Sequence, residues 1–269
     1  MVELISKVSR GSKMDQIYIP KNRAELEIGS YVIISPFDSS LAKEKEKFKP
    51  YFYNLNKIEP IKLLLIKQIA EIIERNIKSD NIFFVGSLLD EGFNFKDVDV
   101  VIITDKKQRV KKVEECIESK LRIRTHILLF SRREWKDALE TDPLWQAMIS
   151  KSIAKKRFVY NIQSRINFKF LDLHLLKSKF LVENFETLNG NEKYKLTRNL
   201  ISINLFLQKK KVTNELINKE IIGQFNLDNI DKIKDNMLNK PDFINRYSEI
   251  YSRAFHQILR GIKDESKQK

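Results

Sequence analysis

The chain has 269 residues, 42% of them hydrophobic, and carries a net charge of +14. No apolar run is long enough to span a membrane, and the first residues lack the apolar segment of a signal peptide. The single cysteine, Cys116, excludes an intrachain disulfide framework and favours a reducing cytoplasm. Length and composition therefore predict a cytoplasmic protein of two or three small domains with no membrane partner.

Residues 1–37 have the pattern of short strands separated by turns. The stretch from Met14 to Lys21 alternates in polarity until Pro20, and a second alternating strand follows Gly29. With Gln16 to Lys21, Arg23 and the Ile28-Gly29 turn, this segment resembles the AbrB/SpoVT-like swapped-hairpin DNA-binding family.

That resemblance implies a small N-terminal β-domain that binds DNA as a homodimer. A piece of about 35 residues cannot bury enough surface alone, and the family interleaves two chains instead. The implied DNA contacts are Arg10, Lys13, Lys21 and Arg23. A β-subdomain that only dimerises, or packs against the rest of the chain, is the alternative.

Residues 38–57 are polar, with lysine and glutamate alternating from Lys43 to Lys47, and are predicted to be a linker or a solvated helix. Pro60 then stands near the start of an amphipathic helix that continues through Ile77, because proline suits the first helical turn.

The next elements carry the strongest chemical signal. A strand at 81–85 ends in Gly86-Ser87, and a second strand, 97–103, opens with Asp97 and Asp99. Successive side chains of a strand point to opposite faces, so both carboxylates share one face. Two such carboxylates can hold Mg²⁺ or Mn²⁺, and Gly-Ser at a helix start can bind phosphate. Together they predict a site for a metal-bound nucleoside triphosphate.

The spacing of Gly86-Ser87 and Asp97-Val98-Asp99 resembles the nucleotidyltransferase superfamily with a polymerase-beta-like palm. The resemblance covers residues 58–160, including a helix start at Asp142-Pro143. It implies an α+β fold, a mixed sheet flanked by helices, with Asp97 and Asp99 as catalytic metal ligands and ATP as the expected substrate. A surface turn followed by two exposed acids is the alternative interpretation.

Two features depart from the family pattern. The family carries a third carboxylate on the next strand, but residues 122–130 contain no acid, and His126 stands near that position. His126 could act as a general base, ligate a metal or be structural. Lys96 precedes Asp97 where small family members carry serine, and we assign Lys96 to nucleotide binding with Gly86 and Ser87.

Residues 161–269 are predicted to form a C-terminal helical bundle of five or six helices, with breaks at Gly190, Thr213, Asp228 and Pro241. Residues 151–269 carry 24 basic and 13 acidic side chains, a net charge of +11. This excess indicates RNA or another polyanion as a partner, although a solvated lysine-rich surface gives the same count.

Further basic and aromatic side chains of this region could contact nucleotide or RNA, although ordinary surface roles are favoured for them. They are Tyr194, Lys195, Arg198 and Lys210.

The sequence thus predicts a metal-dependent nucleotidyltransferase that moves an NMP from an NTP to a hydroxyl of a protein, an RNA or a small molecule, releasing pyrophosphate. The alternative is a DNA-binding regulator or antitoxin-like protein whose palm binds nucleotide but is catalytically impaired.

Overall fold

The computed structural model divides the chain into two compact units, Met1–Glu44 and Lys45–Lys269. In the first unit, β1 (Val8–Ser9) pairs antiparallel with β2 (Gln16–Ile17). The rest of the predicted AbrB-like segment lies largely outside the described residues. The structure describes residues 8–12, 15–17, 48–55, 57–93, 95–106, 108–159 and 162–267.

A mixed five-stranded sheet forms the centre of the second unit. Its strands are β3 (Tyr51–Tyr53), β4 (Asn81–Val85), β5 (Asp97–Ile103), β6 (Arg124–Phe130) and β7 (Ser152–Ala154). They lie in the order β3-β7-β4-β5-β6, and β5 and β6 are the parallel pair, whereas the other neighbours run antiparallel. With the helices that flank this sheet, the predicted α+β fold is confirmed.

Alternation along β5 divides the sheet core into two faces. Helices α1 (Pro60–Asn76) and α2 (Lys111–Leu121) pack on the face of Val98, Val100 and Ile102. Helices α3 (Arg132–Thr141) and α4 (Pro143–Ser150) pack on the opposite face, the face of Val101 and Ile103.

Local signals explain where several of these elements begin. Pro60 occupies the first turn of α1, as its fixed φ allows. The Asp142 carboxylate accepts from the backbone N–H groups of Leu144 and Trp145, which caps α4 where the sequence predicted a helix start.

Other boundaries differ from those predicted. Residues Tyr51–Tyr53 lie within the predicted linker but form β3. The sequence did not predict this strand, because three residues are too few to show an alternating pattern. Strand β6 begins at Arg124, since Arg122 has φ +54° and ends α2 in the left-handed region.

Residues 162–267 form a helical domain built around a core of its own. Its helices are α5 (Phe168–Glu183), α6 (Gly190–Leu207), α7 (Asn214–Phe225), α8 (Asp231–Lys234) and α9 (Lys240–Lys267). Gly190 begins α6 and Thr213 caps α7, as the predicted breaks require. Ala147 of α4 belongs to this core while Ile149 packs against the sheet, so α4 joins the sheet and the helical domain. No helix among the described residues is long and apolar enough to cross a membrane.

Candidate functional site

The predicted site residues meet along one row that crosses the sheet. Val85, the last residue of β4, pairs with Asp99 of β5, and Asp99 pairs in turn with His126 of β6. Gly86 and Ser87 follow Val85 directly. Residues distant in sequence are therefore neighbours at one end of β5.

Asp97 and Asp99 share the face of the sheet that α3 and α4 cover further along. Val101 lies on the same face of β5 and is buried under those helices. Asp97, in contrast, is exposed, and the Asp99 side chain is 35% exposed. The two acids thus lie where the covered part of that face ends, open to a ligand.

The turn after β4 has room only for glycine. Gly86 has φ +79°, and a Cβ at this position would overlap the Oδ2 atom of Asp99. Glycine is the residue that adopts this φ without steric cost. The turn therefore approaches Asp99 so closely that backbone and carboxylate form one surface.

The helix predicted after Gly86 is shorter than expected. Only a 3-10 turn forms, Gly86–Leu89, and the N–H of Asp90 closes it on the Ser87 carbonyl at 3.1 Å. Leu88 and Leu89 are buried, whereas Ser87 is exposed beside the acids. The following Asp-Glu-Gly sequence is a poor helix former, which accounts for the early end.

Burial raises the pKa of the Asp99 carboxyl, and the neighbouring Asp97 carboxylate raises it further. His126 and Lys195 oppose this rise in pKa. The neighbouring positive groups therefore do not fully offset the free-energy cost of ionising Asp99, and a bound cation would lower that cost.

His126 and Arg124 extend the site along β6. His126 is 62% exposed, and its Nδ1 lies 3.5 Å from the Oδ1 of Asp99. Arg124 pairs with Asp97 across the strands, and its Nε lies 3.5 Å from Glu118 Oε1. No role was predicted for Arg124 from the sequence, and this contact directs its guanidinium toward α2.

The donor set fits a hard divalent cation in part. Asp97 and Asp99 supply carboxylate oxygens on one face, and Mg²⁺ is commonly held by one or two carboxylates together with substrate phosphates. In the part of the chain that the structure describes, no three His, Cys, Asp or Glu side chains are grouped as a metal site. Such a cation would need oxygens from a ligand or water.

The other predicted nucleotide contact, Lys96, is exposed directly before β5. From the helical domain, Lys195 of α6 lies near enough to lower the pKa of Asp99. Burial raises the pKa of Tyr194 on the same helix, whose hydroxyl donates to Asn218 at 2.8 Å. Helix α6 therefore lies within electrostatic reach of the acids.

A buried lysine that the sequence analysis did not assign holds the loop between the turn and the acids. Lys62 of α1 is 1% exposed, and its ammonium lies 2.9 Å from Glu59 Oε2. It donates to the Asp90 carbonyl at 2.5 Å and lies 5.4 Å from the centre of the Phe93 ring. The loop is therefore anchored to the start of α1.

Glu59 completes this anchor. Its Oε1 accepts from the N–H of Gly92 at 2.8 Å, and the hydrogen bond from Lys62 lowers the pKa of the Glu59 carboxyl. Lys151 adds a 2.7 Å ion pair with Asp90. The available sequence signal was a Glu and a Lys three residues apart around Pro60, but that spacing is also common on exposed helix starts.

Of the predicted DNA contacts, Arg10 is described and exposed. Lys13, Lys21 and Arg23 lie outside the described residues.

Comparison with known proteins adds a structural likeness. No protein-family model matches the chain, and no curated protein matches it. The chain is similar in structure to a spectinomycin adenyltransferase from Enterococcus faecialis, solved with ATP and spectinomycin. The two share 12% sequence identity and a TM-score of 0.38 over 72% of this chain and 98% of the other.

Proposed function

We propose that this protein is a metal-dependent nucleotidyltransferase, which moves an NMP from an NTP, with ATP the expected donor, to a hydroxyl of an acceptor. One observation carries the proposal: the Gly86 turn and the Asp97–Asp99 face are in contact, although ten residues separate them. The proposal rests on this geometry and not on the structural likeness.

The pairing of turn and acids suits a triphosphate. Exposed Ser87 and Lys96 flank the two carboxylates and would bind phosphate oxygens. A cation bound by Asp97 and Asp99 would neutralise phosphate charge during an in-line displacement.

In the transfer, a bond forms between the acceptor oxygen and the α-phosphorus, and the bond to the leaving pyrophosphate breaks. The hydroxyl proton needs an acceptor. The Nδ1 edge of His126 faces Asp99, which leaves Nε2 on the exposed ring to take that proton. Asp99 would then stabilise the imidazolium. Holding the acceptor hydroxyl and the α-phosphorus in fixed positions would supply much of the rate enhancement.

The test is incubation of the full chain with each α-labelled NTP, Mg²⁺ or Mn²⁺, and cell extract. We expect a labelled protein, RNA or small molecule that disappears with Asp97→Asn/Asp99→Asn. The matched control is Glu115→Gln/Asp264→Asn, which removes two exposed acids from α2 and α9. Labelling that survives in the Asp97/Asp99 variant would overturn the proposal.

A second candidate function, that of a regulator without transfer activity, is favoured by the absence of an acid on β6. His126 occupies the row position next to Asp99, and no carboxylate is available from Arg124–Phe130. A DNA-binding regulator or antitoxin-like protein with a silent nucleotide-binding palm would have this feature. Metal-dependent nucleotide binding without transfer, together with salt-sensitive duplex binding lost on replacing Arg10, Lys13 and Lys21, would support it.

A further inference from the structure

A cavity of about 780 Å³ lies in the second unit, away from the Gly86 turn. Its walls come from β3, β7, α3 and α4 and from the segment Lys209–Thr213, which joins α6 to α7. Its size falls within the range of small-molecule sites. The sheet and the helical domain therefore border an open cavity large enough for a ligand.

Hydrogen bonds fix several parts of the cavity wall. The Tyr53 hydroxyl donates to the Phe158 carbonyl at 3.0 Å and accepts from the Phe158 N–H at 2.6 Å. The Asn54 amide donates to the Ser150 carbonyl at 2.7 Å, and the Ser150 hydroxyl accepts from the N–H of Asn214 at 3.0 Å. Because these hydrogen bonds already order the wall, little conformational entropy would be lost when a ligand binds.

The lining of the cavity is positively charged. Lys209, Lys210 and Lys211 line it and are exposed, and no Asp or Glu is among the lining residues. Within the described part of the chain these three lysines form no ion pair. Their charge is therefore available to an anion.

Lys209 also has an unusual backbone for a lysine. Its φ is +57°, and it ends α6 in a motif in which the N–H of Lys210 bonds to the Leu205 carbonyl at 3.0 Å. Glycine is usual at this position. Glycine is therefore a substitution that the backbone at this position accepts.

Ser152 gives a second, independent observation. This residue lines the cavity and is fully buried, and its hydroxyl has no hydrogen-bond partner among the described residues. An unpaired buried hydroxyl is costly, so the cavity wall at β7 contains a polar group that no described residue satisfies. Ser152 lies on β7, two strands from Asp99, or roughly 10 Å at the normal strand spacing.

We propose that this cavity binds a phosphate-bearing ligand, with its phosphates against Lys209, Lys210 and Lys211, and that this ligand is the acceptor for transfer at Asp97 and Asp99. The acceptor role rests on the proposed function, whereas the binding does not. Phosphates of this kind occur at a nucleic-acid end and in phosphorylated small molecules, and the test separates the two sources.

Binding to the full chain is measured without NTP or divalent metal. The probes are a fluorescein-labelled, 5′-phosphorylated pentaribonucleotide, followed by anisotropy, and inorganic tripolyphosphate, used in calorimetry and as a competitor. The cavity variant is Lys209→Gly/Lys210→Gln/Lys211→Gln, in which glycine suits the backbone of position 209. The control, Lys169→Gln/Lys177→Gln/Lys263→Gln, removes equal charge from exposed helix positions.

We expect the cavity variant to weaken binding at least tenfold and to reduce the slope of log affinity against log salt by about two, since three single-strand phosphate contacts are lost. The control should stay within twofold of wild type. Displacement of the RNA by tripolyphosphate indicates a small phosphorylated ligand, and displacement by unlabelled RNA alone indicates a nucleic-acid end.

Equal weakening in both variants, or no binding of either probe, overturns the proposal. The outcome is separable from that of the proposed function. Transfer that needs Asp97 and Asp99 but is unchanged in the cavity variant would keep the nucleotidyltransferase and remove the acceptor site. Cavity-dependent binding without any transfer would keep the phosphate-binding site and remove the nucleotidyltransferase, together with the acceptor role of the ligand.

Discussion

The Oδ2 atom of Asp99 occupies the space that a side chain at position 86 would fill. This contact joins the end of β4 to the start of β5. The Asp99 carboxylate can hold this position because residue 86 has no side chain. Substitutions at these two positions can therefore separate the backbone turn from the carboxylate that it faces.

Gly86→Ala should destabilise the fold and abolish transfer. The left-handed φ costs about 1–2 kcal/mol for a residue with a Cβ, and the new Cβ would displace the Asp99 carboxylate from its position in the site. Gly92→Ala is the matched control, because Gly92 has φ +77° but nothing lies within 4 Å of its Cβ position. Chemical denaturation and a transfer assay measure both variants, and a Gly86→Ala variant that transfers as well as Gly92→Ala would contradict the close approach of Asp99.

Asp99→Asn should abolish transfer and yet raise stability in metal-free buffer. Because Asp99 is 35% exposed, solvent screening limits the gain to at most about 1 kcal/mol, or about 2–4 °C in Tm. Thermal denaturation in chelator, with and without added Mg²⁺, measures the effect. Mg²⁺ should stabilise the wild type and leave the variant unchanged.

The pH dependence of that gain follows from the raised pKa of Asp99. The unfolded chain loses this proton first as pH rises, so the folded chain binds more protons between the two pKa values. Wild-type stability therefore falls as pH rises through that window. The advantage of Asp99→Asn should be present above the folded-state pKa and absent at acid pH. A gain of equal size at every pH would refute burial of the Asp99 carboxylate as its cause.

Lys62→Met should loosen the loop that carries Asp90 and Gly92. The ammonium lost from this buried position bonds to Glu59 and to the Asp90 carbonyl, and the expected cost is about 2 kcal/mol. Lys67→Met on the same helix loses a 3.9 Å surface pair with Glu71, which should cost below about 1 kcal/mol. Hydrogen exchange of the Gly92 N–H measures the loosening, which should be specific to Lys62→Met.

His126→Asn should lower the rate of transfer by about 100-fold if the imidazole takes the acceptor proton. Arg122→Gln is the control, because Arg122 is exposed on the turn before β6. A His126→Asn variant with the wild-type rate would assign this histidine a structural role.

The chain order of the central elements could be predicted because their signals are local. Proline at a helix start, an Asp cap before Pro143 and the alternation along β5 each act within a few residues. The shared face of Asp97 and Asp99 follows from strand periodicity alone. Strands β3 and β7 could not be predicted in the same way, because each has three residues and is stabilised by the pairing Phe52↔Ile153 with a distant segment.

The sequence by itself determined that Asp97 and Asp99 share one face of a strand, and it predicted three phosphate contacts near them: Gly86, Ser87 and Lys96. Only the tertiary structure decided that His126 lies beside Asp99, that Lys62 is buried under the connecting loop, and that Lys209–Lys211 line a cavity. The physical reason is that periodicity and capping act over one or two turns, whereas burial and charge pairing depend on segments that meet only when the sheet and helices pack.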